Sequence, residues 1–162
     1  MTADPQAPLR DHLAELLDGG HAHATFDRAG DGLPVGLRGA KVAGYEQTPW
    51  RLVEHLRIAQ WDILQFVVDS AHVSPAFPGG YWPAGDAPPD DLAWDATLAG
   101  FRADLGSIRR LVMDPSTDLF APLPHGTGQT PLREALLVAD HNAYHVGQLV
   151  ALRRALGAWA GE

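Results

Sequence analysis

The sequence predicts an all-α protein: a four-helix bundle with long connections between its helices. Apolar residues recur every three or four positions in four separate segments, which is the period of an amphipathic helix. No segment alternates apolar and polar residues as a half-buried strand does. The segments 28–48, 71–89 and 114–130 are rich in Gly and Pro and exceed the ~12–15 residues of an ordinary loop. Four long helices without a sheet bury their apolar faces against one another.

The first two predicted helices cover about residues 8–27 and 49–70. The first has leucines at helical spacing, but the glycines at 19–20 interrupt it, and each costs about 1 kcal/mol relative to Ala. Thr48 is the predicted N-cap of the second helix. Pro49 follows at the first helical position, where a missing N–H does no harm.

The last two predicted helices cover residues 91–113 and 131–156. Asp90 is the predicted N-cap of the third helix, whose apolar residues show the clearest amphipathic pattern in the chain. Thr130 is the predicted N-cap of the fourth, and Gly157 is well placed to end it.

Composition limits the classes of protein that this chain can belong to. Its 162 residues match the size of one domain, so we expect residues 1–162 to form a single domain. The chain has no cysteine, which excludes disulfides, Cys-based zinc sites and a catalytic thiol of its own. Twelve Lys and Arg against twenty Asp and Glu give a net charge of −8, which argues against a nucleic-acid or anionic-membrane partner.

The chain shows no targeting or membrane-spanning pattern. Residues 1–9 lack the basic and apolar regions of a signal peptide. The longest apolar run near the C-terminus is far shorter than the ~20 residues that a transmembrane helix needs. We therefore expect a cytoplasmic protein.

The strongest chemical signal is a pair of histidines on the fourth helix. His141 and His145 are four residues apart, so both imidazoles lie on one helix face and can reach one metal ion at ~2.1 Å. Both belong to the apolar stripe of their helix and are expected to point into the bundle. His55, on the inner stripe of the second helix, is the best candidate for a third ligand. Three histidines would leave a coordination position open for water or substrate, as in a catalytic site.

The residues alone offer three alternatives to this metal site. The zinc-peptidase motif HExxH needs Glu directly after the first histidine, and position 142 is Asn, so a peptidase is disfavoured. The histidines could also be core residues that form hydrogen bonds with Asp, Asn or backbone groups. A carboxylate-bridged di-metal bundle is unlike this chain, because the Glu-x-x-His pairs it needs are missing.

Residues 49–56 (PWRLVEHL) and 140–149 (DHNAYHVGQL) together resemble the DinB/YfiT-like superfamily of metalloenzymes. In that family one His of helix two and an HxxxH pair of helix four bind a divalent metal, and a Gly-Gln pair typically follows the second His, as at 147–148 here. The resemblance extends to the length of the chain and its four helices. It implies that His55, His141 and His145 bind a divalent metal, with zinc expected first and nickel or iron as alternatives.

The resemblance also implies an up-down-down-up order of helices, in which the second and third helices run parallel. The 71–89 connection must then travel the length of a helix. A helix of about 21 residues is ~32 Å long. The connection can extend about 60 Å, so the span is feasible.

Four further residues are candidates for supporting or lining the site. Gln148 faces the same way as the histidines and could orient one of them or hold a metal-bound water, unless it is only a polar residue near the bundle end. Asp140 and Tyr144 lie about 100° to either side of the ligands and could contact them. His23, seven residues after Leu16 on the first predicted helix, could line the pocket.

Two further features each have two interpretations in the sequence. Asp62 lies two helical turns beyond His55 and is either a buried acid or a surface charge. Tyr81-Trp82-Pro83, in the second connection, is either a lid over the metal or packing on the core, and we favour packing.

The expected function is that of a metal-dependent enzyme. Characterised members of the resembling family include transferases and isomerases that use low-molecular-weight thiols such as bacillithiol or mycothiol. Because this chain has no Cys, such a thiol would have to enter as cosubstrate with the small-molecule substrate. Metal-assisted hydrolysis is equally consistent with an open site. The alternative is a metal-binding stress-response bundle without catalysis.

We also expect a homodimer. The family tendency supports it, together with four tryptophans (50, 61, 94 and 159) that exceed what one small core readily covers.

Overall fold

The protein is all-helical in the computed structural model, which describes residues 4–159. Within that range there are five α-helices and no strand. The helices are α1 (Ala7–Asp18), α2 (Phe26–Gly30), α3 (Pro49–Val68), α4 (Asp91–Met113) and α5 (Pro131–Ala155). Residues 1–3 and 160–162, which the predicted domain also includes, lie outside the described range.

The three longest helices begin where the sequence predicts. The side chains of Thr48, Asp90 and Thr130 each accept a hydrogen bond from a backbone N–H in the first turn of the helix that follows. These bonds satisfy N–H groups that have no partner within the helix, and therefore fix where α3, α4 and α5 start. The predicted ends are also close to the observed ones, at Val68, Met113 and Ala155.

The prediction of the first helix is wrong for its second half. α1 ends at Asp18, because Gly19 and Gly20 adopt φ values of 69° and 89°, which a right-handed helix does not accommodate. A separate short helix, α2, starts only after Thr25, whose hydroxyl caps it. The bundle therefore contains four longer helices and one short helix.

The helices pack in an arrangement that is compatible with a helical bundle. α3 contacts both α4 and α5 extensively, α1 lies against α4 and α5, and α2 packs on α5. The buried side chains form two apolar clusters. The larger contains Phe26, Ala29, Leu33, Trp50, Leu52, Val53, Leu56, Trp94, Leu98, Phe101, Val146, Leu149 and Leu152. The smaller contains Leu13, Leu17, Leu64, Ile108, Val112, Leu119, Ala135, Val138 and Ala139.

The larger cluster buries two of the tryptophans on which the expectation of a dimer is based. Trp50 and Trp94 are only 5% and 2% exposed and are covered within the chain itself. Two of the four tryptophans therefore supply no reason for a second subunit, and the homodimer stays a prediction that depends on the resemblance.

A buried amide joins the three longest helices beside the predicted site. Gln60 of α3 is fully buried and donates to the backbone carbonyl of Phe101 on α4 at 2.7 Å. Its oxygen accepts a hydrogen bond from the Asn142 side chain on α5 at 2.8 Å. Because unpaired buried amides are costly, these bonds specify one rotation of α5 relative to α3. Asn142 occupies the position at which the HExxH motif has its glutamate, and its side chain forms a hydrogen bond within the core.

The long connections carry little regular structure. The connection between α3 and α4 contains one 3₁₀ turn, Gly79–Tyr81, which packs on α3. Among the helices of residues 4–159, none combines the length and the apolar character needed to cross a membrane.

Candidate metal centre

Three histidines from two facing helices meet at one point beside the larger apolar cluster. His55 projects from α3, and His141 and His145 project from α5. His55 and His145 are buried, and His141 is partly buried. One ring nitrogen from each lies within 4.8 Å of the others. The structure thus brings together the residues predicted to be ligands, while metal binding itself stays a prediction.

The ring nitrogens face one another across a short gap. Nε2 of His55 lies 3.1 Å from Nε2 of His145 and 3.1 Å from Nε2 of His141. On its other side, Nδ1 of His55 lies 2.8 Å from the carbonyl oxygen of Tyr81. A carbonyl oxygen only accepts hydrogen bonds, so the proton of a neutral His55 is on Nδ1, and its Nε2 presents a lone pair.

His145 is held in the same way by a side chain of its own helix. Its Nδ1 lies 2.7 Å from Oε1 of Gln148 and donates a hydrogen bond to it. His145 therefore also directs an Nε2 lone pair at the gap, towards the lone pair of His55. Two lone pairs 3.1 Å apart repel each other unless a cation lies between them.

The geometry of the gap fits a metal ion. Two nitrogens bound to one ion at ~2.1 Å, with an angle between the octahedral and tetrahedral values, are ~3.0–3.4 Å apart. Both Nε2–Nε2 separations of His55, 3.1 Å each, fall in this range. Metal-bound histidines usually donate their other N–H to a carbonyl or carboxylate, and two of the three do so to an oxygen here. Nδ1 of His141 is buried and forms no hydrogen bond within residues 4–159.

The electrostatics keep the three imidazoles in the form that binds metal. Burial, followed by the neighbouring imidazoles of His145 and His55, lowers the pKa of His141 to about 4. Burial also lowers the pKa values of His55 and His145, and the hydrogen bonds that these imidazoles donate to the Tyr81 carbonyl and to Gln148 partly offset the effect. All three are therefore neutral near pH 7, as a metal ligand must be.

The connection between α3 and α4 covers one side of the centre. The Trp82 indole stacks on the His55 imidazole with 3.8 Å between ring centroids and 3° between planes. Arg51 supports Trp82 from behind, with its guanidinium 5.7 Å from the indole and 2.8 Å from the carbonyl of Pro83. Trp82 is half-buried and packs against the larger cluster, as the favoured interpretation of Tyr81-Trp82-Pro83 predicted.

A cleft of about 540 Å³ opens beside the centre. His145 is the histidine that reaches it, so a ligand in the cleft could approach the Nε2 atoms from this side. The cleft is lined by Gly44, Tyr45, Glu46, Gln47, Leu52, Trp82, Tyr144, His145, Gln148 and Ala151.

The remaining predicted residues divide into two groups. Gln148 contacts His145 directly, and Tyr144 lies edge-on to His145 at 4.8 Å and lines the cleft, although it is largely exposed. Asp140 is exposed on α5 and is not among the hydrogen-bond partners of the three imidazoles. His23 is exposed between α1 and α2 and lines a different surface depression with residues 20–25. The structure brings neither Asp140 nor His23 to the centre.

Sequence reasoning missed three parts of the site. Tyr81 acts through its backbone carbonyl, which no side-chain pattern reveals. Glu46 and Gln47 line the cleft, but they belong to the connection before α3, which has no helical periodicity from which their position could be predicted. The tryptophan at 82, flanked by Tyr and Pro, was the one available signal for a covering loop.

The chain matches no protein-family model, no curated protein and no solved structure, so its function is inferred from the three histidines and their surroundings.

Proposed function

We propose that this protein is a metal-dependent enzyme of the DinB-like superfamily, with His55, His141 and His145 as the ligands of one divalent ion. The observation that carries the proposal is the convergence of three Nε2 atoms, two of them fixed as lone-pair donors from behind by Tyr81 and Gln148. The long connection between α3 and α4 supports the up-down-down-up order, with these two helices parallel. Zinc is the first candidate, and nickel and iron also suit imidazole ligands.

The three histidines leave at least one coordination position free, and the cleft gives access to it. A metal ion held by the three histidines would lower the pKa of a bound water or thiol and would thereby supply a nucleophile near neutral pH. Gln148 orients His145, while Trp82 excludes water from one face of His55. Glu46 is the one carboxylate among the lining residues and is our candidate proton acceptor.

The substrate is proposed to be a small molecule. The cleft volume lies within the ~300–1,000 Å³ of small-molecule sites, and the net charge of −8 disfavours nucleic acid and anionic membranes. The reaction is either transfer to or from a low-molecular-weight thiol or metal-assisted hydrolysis. The first needs the thiol as cosubstrate, because the chain has no cysteine.

One observation favours a second candidate, a metal-binding bundle without catalysis. Position 142, where metallopeptidases of the HExxH type place their general base, is an asparagine that is bonded to Gln60 in the core. Among the described residues that line the cleft, Glu46 alone has a carboxylate that could take the role of a base, and it comes from an exposed connection.

The test begins with protein purified without a metal-affinity tag and analysed for its elements. Parent protein, reconstituted with zinc, nickel or iron, is then screened with small thiols plus electrophiles and with ester and amide substrates. His145→Ala is the ligand variant, and His12→Ala, which removes an exposed histidine of α1, is the matched control. Turnover in the parent and control, lost in His145→Ala, supports the enzyme. One equivalent of metal without turnover in either screen supports the second candidate. A parent that binds none of the three metals contradicts both.

A further inference from the structure

A buried carboxylate lies near the metal centre without contacting it. Asp62 is on α3, two turns beyond His55, and is only 7% exposed. Oδ1 accepts a hydrogen bond from Nε2 of His72 at 2.7 Å, and Oδ2 accepts one from the Tyr81 hydroxyl at 2.6 Å. Both donors belong to the connection between α3 and α4. Asp62 therefore fastens this connection to α3 at two points.

Tyr81 links this carboxylate to the metal centre. Its hydroxyl donates to Asp62, and its backbone carbonyl accepts the Nδ1–H of His55 at 2.8 Å. The next residue, Trp82, stacks on the same imidazole. The position of Tyr81 thus determines both the acceptor that fixes the tautomer of His55 and the ring that covers its face.

We propose that Asp62 is a positioning residue of the metal centre: through the Tyr81 hydroxyl it holds the backbone carbonyl that keeps the Nε2 lone pair of His55 directed at the ion. This inference rests on the proposed metal site. A carboxylate suits the role because it accepts from two donors at once. An amide at the same position offers one oxygen and places an N–H group opposite one of the two donors.

The experiment compares the parent with Asp62→Asn and Tyr81→Phe, two variants that preserve side-chain shape. Asp95→Asn, which changes an exposed carboxylate on α4, is the matched control. Zinc affinity is measured at pH 7.5 by competition with a chelating dye, and cobalt(II) absorption reports the ligand geometry. Thermal melting of the metal-free proteins reports stability. We expect zinc affinity to fall about tenfold in Asp62→Asn and in Tyr81→Phe, with an altered cobalt spectrum. Asp95→Asn should match the parent.

A purely structural Asp62 predicts a different result. Asp62→Asn and Tyr81→Phe would then lower the melting temperature but bind zinc within twofold of the parent with an unchanged cobalt spectrum, which would overturn the proposal. If Asp62→Asn does not fold, Tyr81→Phe decides alone, because it loses only the hydroxyl.

A separate measurement distinguishes failure of this inference from failure of the metal proposal. Imidazole nitrogen NMR of the metal-free proteins shows which nitrogen of His55 carries the proton. We expect Nδ1–H alone in the parent and a mixture of tautomers in Asp62→Asn and Tyr81→Phe. If the parent binds no metal, the metal proposal fails, and this measurement still tests the positioning role. An unchanged tautomer in both variants would contradict that role.

Discussion

The indole of Trp82 lies flat on the imidazole of His55, with ring centroids 3.8 Å apart and planes within 3° of parallel. His55 comes from α3, whereas Trp82 comes from the connection that follows it. The Tyr81 carbonyl holds the edge of the same imidazole. The imidazole of His55, the proposed third ligand, is therefore oriented by a loop as much as by its helix, and changes in that loop should alter metal binding.

Trp82→Ala should weaken metal binding without removing it. A stacked aromatic pair contributes about 0.5–1.5 kcal/mol beyond its buried area, so loss of the ring that holds His55 in place should cost at most roughly two- to tenfold in affinity. The measurement is the rate of zinc release to excess chelator, which should rise in Trp82→Ala. Trp82→Phe keeps a ring over His55 and should release zinc at nearly the parental rate. Equal rates in parent and Trp82→Ala would show that the stack does not support the ligand.

His145→Ala should abolish tight metal binding and leave the helices folded. A site of three ligands has no spare imidazole, while the apolar clusters of α3, α4 and α5 do not depend on the ion. Metal stoichiometry and helical circular dichroism are measured on the variant and on His12→Ala. A full equivalent of tightly bound metal in His145→Ala would contradict the three-histidine assignment. Loss of the helical signal would instead identify the histidines as core residues required for folding.

Gln148→Ala should weaken metal binding through His145. The amide oxygen accepts the Nδ1–H of His145 at 2.7 Å, and removing such an outer partner typically costs 10- to 100-fold in metal affinity. Gln148→Glu preserves the acceptor oxygen and should keep the zinc affinity close to that of the parent. The measurement is zinc competition at pH 7.5. The prediction is wrong if Gln148→Ala matches the parent or if Gln148→Glu is as weak as Gln148→Ala.

The helices that carry the site were predictable because their signals are local. Capping residues such as Thr48 and Thr130 mark helix starts by a hydrogen bond within one turn. The spacing of His141 and His145 fixes a common face once the helix is known. His55 could be matched to them because it lies on the inner stripe of α3.

The sequence misplaced or missed site residues where their position depends on backbone conformation or on a connection without helical periodicity. His23 was assigned to the first helix because apolar spacing continues past Gly19, but the positive φ of that glycine ends the helix first. Asp140 has the right angular position on α5, but the oxygen acceptors of the imidazoles are Tyr81 and Gln148. To predict the role of Tyr81, one must know where the long connection between α3 and α4 packs against α3, and the sequence does not specify this.

The homodimer predicted from the resemblance should be detectable by light scattering at micromolar concentration. Exposed apolar side chains such as Val73, Phe77 and Leu92, each at least 78% exposed, are available for contact with a second copy. Phe77→Ser should shift the equilibrium towards monomer if this loop takes part. A monomeric parent at that concentration would contradict the prediction.

The stability of the metal-free protein should fall as pH decreases from about 6.5 towards 4. Burial and the adjacent imidazoles lower the pKa of His141 to about 4, whereas the unfolded chain binds the proton near pH 6.5. Between these values the unfolded state holds more protons than the native state, so the free energy of unfolding rises with pH and is lost on acidification. For His141 the loss is at most about 3 kcal/mol. His55 and His145, whose pKa values are also lowered by burial, act in the same direction.

The measurement is urea unfolding of parent and His141→Gln, both stripped of metal, at intervals between pH 4 and 7.5. The parent should lose more stability over this range than the variant, which has one titrating imidazole fewer. Parallel pH dependences would show that His141 is protonated as easily in the native protein as in the unfolded chain. Zinc should be released towards the lower end of the same range, because protons compete with the ion for the imidazole lone pairs only as the pH approaches the lowered pKa values of the three histidines.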